Sequence, residues 1–179
     1  TGLALDDVVV LELATGVSGP YSGRLLADLG ALVIKCEPPG GDPFRALSGY
    51  RVWQRGKRSA ELDLADPTDR ARFQALASEA DVVIESFGPG TAEKLGVDYA
   101  TLSARNPRLV VCSITAYGDH PGLADRPGYD ALVGARTGHM FEGRGTVGGT
   151  MGRLAGTEGD APLVRHDGGW TAISSPASK

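Results

Sequence analysis

Apolar and polar positions along the chain follow two periods in turn. Asp7 to Ala14 (DVVVLELA) is a short apolar run with β-branched residues at its start, which predicts a buried parallel strand. Thr15, Gly16, Val17, Ser18, Gly19 and Pro20 read as a turn with a helix start built in. Pro20 suits the first helical position, where its missing N–H costs nothing. Tyr21 to Leu29 then places Leu25, Leu26 and Leu29 at helical spacing, and Gly30 stops the helix. Leu32 to Glu37 (LVIKCE) is a second strand, so the opening is a βαβ unit of right-handed sense.

Pro38, Pro39, Gly40 and Gly41 break the pattern, and Arg45 to Ser59 is basic with weak periodicity. Ala60 to Leu64 predicts a short strand. Asp66, Pro67 and Thr68 cap a helix running to about Ala80, with Phe73 and Leu76 inward. Asp81 to Glu85 and Arg108 to Thr115 are further strands, separated by short helices over Thr91 to Leu95 and Tyr99 to Ala104. Asp130 to Thr137 predicts a last helix.

This order implies an α/β fold, Rossmann-like, with a mostly parallel sheet and helices on both faces. An irregular Gly-rich tail follows. The expected division is 1–140 for the sheet domain and 141–179 for a Gly-rich loop or linker segment. Gly143 to Gly169 has too few large apolar residues to build its own core. The chain opens on Thr1 and closes on loop-like residues, so the expectation is an excised or truncated piece. Ligands of such sheets sit beyond the carboxyl ends of the strands, which directs attention to the loops Thr15 to Pro20, Pro38 to Arg45, Ser86 to Gly90 and Ala116 to Pro127.

Composition adds exclusions. A net charge of −4 over 179 residues argues against nonspecific nucleic-acid binding, and no apolar run is long enough to span a membrane. Cys36 and Cys112 sit in apolar runs, which predicts buried thiols in a reduced cytoplasm. His120, His139 and His166 lack ligand spacing, so no metal is expected, and no serine-hydrolase elbow occurs.

Several groups remain open between function and structure. Gly16, Gly19 and Gly23 after the first strand, with Glu37 ending the second, resemble a dinucleotide site, but the spacing is G-x-x-G-x-x-x-G. Pro20 also removes an amide that would otherwise face a pyrophosphate, and a tight βα turn is the structural alternative. The run Arg55, Gly56, Lys57, Arg58 is either a phosphate site or solvated surface. Asp130 is either a carboxylate at a cleft or a residue stabilised by the helix dipole.

Five segments in order resemble the class III CoA-transferase family, which includes formyl-CoA and carnitine CoA-transferases and the acyl-CoA racemases. They are VLELATGVSGPYSGRLLADLGALVIKCEPPGGDPFR, RGKRSAELDLADP, ADVVIESFGPGTAEKLGVDY, NPRLVVCSITAYG and RPGYDALVGARTG, and they run from about Leu5 to Gly138. The resemblance implies a CoA-transferase that moves CoA between an acyl-CoA and a carboxylic acid acceptor. It implies an interlocked homodimer and no tightly bound cofactor, coenzyme A being a substrate. By position it implies CoA contacts at Gly16, Val17, Leu62, Ser86, Phe87 and Lys94. Relatives often carry glutamine, arginine, lysine and asparagine where this chain has Val17, Pro38, Ala65 and Ser86, so several polar contacts are lost.

The family's reaction begins with attack of an aspartate carboxylate on the thioester. That aspartate is expected about thirty residues beyond Asp130, near Asp160, but GTEGDAPLV lacks the expected context. Asp130 itself matches an acid lining the active site and is the candidate catalytic residue. Tyr129 stands where the racemase branch has histidine, which favours transfer over racemisation. A noncatalytic CoA-binding or assembly module and an NAD-dependent oxidoreductase are the alternatives.

Overall fold

The computed structural model describes residues 2–118, 120–126, 128–138, 163–166 and 169–172. Contacts group the chain into two units, residues 1–118 and 119–179. In the first unit, β1 (Val9–Glu12) leads through α1 (Ser18–Asp28) to β2 (Leu32–Glu37). The short α2 (Tyr50–Trp53) precedes β3 (Arg58–Glu61), and α3 (Pro67–Glu79) returns the chain to β4 (Val82–Glu85). Helices α4 (Thr91–Leu95) and α5 (Tyr99–Ser103) lead to β5 (Val110–Ser113). The five strands form one parallel sheet in the order β3-β2-β1-β4-β5. The α/β expectation therefore holds, with every pairing in this sheet parallel.

Strand alternation sends side chains to two cores. Leu11, Cys36 and Val83 pack with Phe73 and Ala77 of α3 and Leu102 of α5. Val10, Val33 and Ile84 pack on the opposite face, against Leu26 and Ala27 of α1. Helices thus cover both faces, because runs buried on two sides need cover on both. Helix α3 starts where Asp66 accepts from the amides of Thr68 (2.8 Å) and Asp69 (3.1 Å), with Pro67 at the first helical position.

Several details differ from the sequence expectation. Helix α1 begins at Ser18, so Pro20 is its third residue; the amide it lacks is still one that a first turn leaves unpaired. The buried stripe of α1 is Gly19, Pro20 and Gly23, while Leu25 and Leu29 are exposed. In α3 the buried stripe is Phe73 and Ala77, and Leu76 is exposed at its edge. Strand β3 starts at Arg58 rather than Ala60, because its register is set by pairing with Ile34 to Glu37. Cys36 is buried but Cys112, on edge strand β5, is exposed.

In the second unit, α6 (Asp130–Thr137) has the expected bounds and ends on Gly138 in the left-handed region. Within the stretch expected to be irregular, β6 (Leu163–His166) and β7 (Gly169–Ala172) pair antiparallel. Asp160 and most of the Gly-rich stretch lie outside the described residues. Among the described residues no helix is long and apolar enough to cross a membrane.

Candidate functional site

Because all five strands run the same way, the loops after them leave at one edge of the sheet and enclose a cleft. Its volume is about 260 Å³. Leu13 and Thr15 come from the loop after β1, Pro38 and Asp42 from the loop after β2, and Leu62 to Ala65 from the loop after β3. Phe87, after β4, and Leu95 of α4 complete an apolar wall. Lys35, Cys36 and Glu37 enter from the end of β2.

Two buried ionic groups fix these loops. Glu12 and Lys35 are register partners on β1 and β2, so both point to the α1 face. Lys35 Nζ donates to the Ala14 carbonyl (2.7 Å) and to Glu12 Oε1 (3.3 Å), and lies 2.8 Å from Asp42 Oδ2. That last contact is an ion pair whose angles fall outside hydrogen-bond geometry, since Asp42 Oδ2 has no hydrogen-bond partner. Lys57 Nζ donates to Glu12 Oε2 (2.6 Å), the Pro20 carbonyl (2.7 Å) and Gln54 Oε1 (3.1 Å). Buried charges persist only when paired, and here each has an opposite charge in contact. Gly23 makes the arrangement possible: a Cβ there would overlap Glu12 Oε2.

The second group is centred on Glu37, 3% exposed, which accepts from Tyr50 Oη (2.7 Å), Ser59 Oγ (3.1 Å) and the Arg45 guanidinium. Burial raises the Glu37 carboxyl, but the bonds from Tyr50, Ser59 and Arg45 outweigh it and hold the group below the usual glutamate range. Burial lowers Lys57, against the opposing pull of Glu12. Burial, reinforced by the Glu12 charge, pushes the Cys36 thiol up to about 12, so it is not a nucleophile near neutral pH.

Of the residues carried over by position, Leu62 and Phe87 line the cleft and Gly16, Val17, Ser86 and Lys94 do not. Gly16 has φ +77°, which demands glycine whatever the space around it. Val17 is the exposed residue preceding α1. Ser86 Oγ accepts from the Thr15 amide (3.1 Å) and ties the loops after β1 and β4 together. Lys94 is exposed on α4, one residue before Leu95. Asp130 is exposed in the first turn of α6, in the second unit.

Two open questions narrow. Within the basic run, Lys57 is buried against Glu12 and Arg55 pairs with Asp28, which leaves neither of these two cations unpaired for a phosphate. Nor is Glu37 free to hold a ribose, since its two oxygens already take three donors. Gly19 and Gly23 serve packing, on Ala14 and Glu12 respectively. Sequence reasoning passed over Glu12, Lys35 and Asp42. For Glu12 and Lys35 the available signal was a charge among the apolar residues of the strand runs VVLE and LVIKCE.

A parallel sheet in this order, covered by helices on both faces and with an apolar cleft at its carboxyl edge, defines an α/β domain of the doubly wound class. The chain belongs to CoA-transferase family III, whose family model matches residues 5–161. It is 40% identical over 145 residues to the probable fatty acyl-CoA transferase Rv3272 of Mycobacterium tuberculosis, covering 75% of this chain and 37% of the relative. It is 44% identical over 154 residues to succinyl-CoA:mesaconate CoA-transferase of Haloarcula hispanica, covering 76% and 39%. A crystal structure of Rv3272 superposes with a TM-score of 0.75 at 40% identity, covering 78% of this chain and 41% of that one. A CAIB/BAIF family protein from Brucella suis gives 0.73 at 39% identity, covering 79% and 41%. The chain thus spans about two fifths of the length of these relatives.

Proposed function

We propose that this chain supplies the coenzyme-binding part of an enzyme that moves CoA between an acyl-CoA and a carboxylic acid. The observation that carries this is an apolar cleft, containing Leu62 and Phe87, at the strand tips of a family III member. Leu13, Leu62, Phe87 and Leu95 offer the apolar surface that a coenzyme's neutral portions require, and Gly16, Val17 and Ser86 in the neighbouring loops, with Lys94 on α4, extend the contact surface in this proposal. In this proposal the coenzyme is a substrate, and no tightly held cofactor takes part. Relatives named for succinyl-CoA:mesaconate and acetyl-CoA:oxalate transfer support the reaction class.

The chemistry proposed is nucleophilic. A carboxylate attacks the thioester carbonyl, the C–S bond breaks, and CoA leaves as thiolate from an acyl-aspartyl anhydride. The thiolate then attacks the aspartyl carbonyl, releasing the acyl group as its carboxylate and leaving an aspartyl-CoA thioester. Asp130 is proposed to act on the acceptor carboxylic acid rather than as this nucleophile. A homodimer in the cytoplasm, with 1–140 as the coenzyme-binding domain and 141–179 as a connecting segment, belongs to the same proposal. Titration of the natural full-length protein with CoA and with NAD tests it. Saturable CoA binding, weakened about tenfold or more by Phe87→Ala, is expected. Saturable NAD binding without CoA binding refutes it.

A further inference from the structure

We propose that Lys35 is a positioning residue for the coenzyme, acting through a buried ion pair with Asp42 that seats the loop after β2 against the sheet. The inference rests on the CoA reading above and deepens it. Pro38 and Asp42 bring this loop to the cleft, and Leu13 and Thr15 bring the loop after β1. Lys35 Nζ holds both loops: it donates to the Ala14 carbonyl (2.7 Å) and lies 2.8 Å from Asp42 Oδ2. One ammonium group therefore sets the separation of two cleft walls.

The Asp42 side chain is 1% exposed, so its carboxylate has no surface left for a further partner. Oδ1 accepts from the Phe44 amide (2.7 Å), and Oδ2, which has no hydrogen-bond partner, meets the Lys35 ammonium. The neighbouring cations Lys57 and Arg45 are in contact with Glu12 and Glu37 instead. Backbone preference does not dictate this seat. Gly40 (φ +83°) and Gly41 (φ +87°) lead into Asp42, and glycine has the widest conformational choice. The loop's tie from Arg45 to Glu37 uses a guanidinium half exposed to water, which weakens it. Nor does stability call for the Lys35–Asp42 pair, since apolar side chains of similar volume hold a core as well or better. What the pair adds is direction: a buried carboxylate must meet the ammonium, so the loop has one favoured position.

Lys35→Met in the natural full-length protein keeps a buried apolar stem and strands the Asp42 carboxylate, while Glu12 retains Lys57. Hydrogen exchange over Pro38 to Leu47, read by mass spectrometry of peptides, should quicken about tenfold or more, because losing a buried charged contact raises local opening by that factor. The dissociation constant for CoA, by calorimetry, should rise about tenfold or more, because the seated loop is the binding-competent form. Adding Asp42→Asn removes the stranded charge and keeps the oxygen that accepts from the Phe44 amide. Both readouts should then return to within about threefold of wild type. The Ala14 carbonyl loses its Lys35 donor in both variants, so a general loss of packing would not be rescued. Should Lys35→Met not fold, Asp42→Ala gives the same two readouts with Lys35 still held by Glu12 and Ala14, and the same directions are expected. Unchanged exchange or CoA affinity in the folded single variant overturns the proposal, as does failure of Asp42→Asn to rescue Lys35→Met. If the wild type does not bind CoA, the proposed function fails and the coenzyme role of Lys35 with it, whereas exchange still reports whether Lys35 seats the loop.

Discussion

Gly23→Ala is the most informative single substitution in the sheet unit. By intrinsic propensity alone, alanine in the middle of α1 should stabilise by about 1 kcal/mol. The structure reverses the sign. The new Cβ would overlap Glu12 Oε2 and lie 3.1 Å from Glu12 Cδ and 3.2 Å from Lys57 Nζ. Glu12 has no free direction, because it is fully buried and held by Lys35 and Lys57. Displacing it breaks a buried ion pair, which costs about 3–5 kcal/mol. After the propensity gain, the net loss is about 2–4 kcal/mol. For a chain of this size that lowers the melting temperature by about 4–16 °C. Thermal and urea unfolding would read it. The decisive comparison repeats the substitution in a Glu12→Ala/Lys57→Met background, where Lys35 keeps Asp42 and the Ala14 carbonyl. There Gly23→Ala should be neutral or stabilising. Equal losses in the two backgrounds would refute the explanation, because the carboxylate would then play no part.

Other expectations follow from the same geometry. The Glu37 carboxyl is held below its usual 4.5, so its contribution is complete above that pH and is lost as pH falls through the lower folded value; melting curves between pH 3 and 6 should show a shallower acid decline in Glu37→Gln. Alkylation of the native chain with iodoacetamide should modify Cys112 readily and Cys36 only on unfolding, as mass spectrometry of the labelled peptides would show. Asp130→Asn in the natural full-length protein should sharply lower transfer, whereas unchanged steady-state kinetics would leave Asp130 only the role of an acid stabilising the start of α6.

Much of the sheet unit was legible in the chain itself. Apolar runs with β-branched residues marked β1, β2, β4 and β5, and the turn chemistry around Asp66-Pro67 marked the start of α3. These signals are local, so a sequence window carries them. Leu62 and Phe87 reached the candidate site through ordered motifs, and the cleft contains both. The fate of individual side chains was less legible. Leu76 and Leu25 sit at helical spacing yet are exposed, because small residues at Ala77 and Gly23 let their helices lie closer to the sheet on another stripe.

What the sequence determined alone is the parallel α/β order and the edge where the loops converge, since periodicity and short connections leave few other topologies. What only the tertiary structure decided is which charges are spent. Lys57 looked like one member of a basic surface run, and Glu37 like a free acid at a strand end. Forty-five residues separate Lys57 from Glu12, and Arg45, Tyr50 and Ser59 reach Glu37 from three different positions along the chain. Pairing of charges distant in sequence has no local signature, because it is packing that removes water and fixes which partner each group meets.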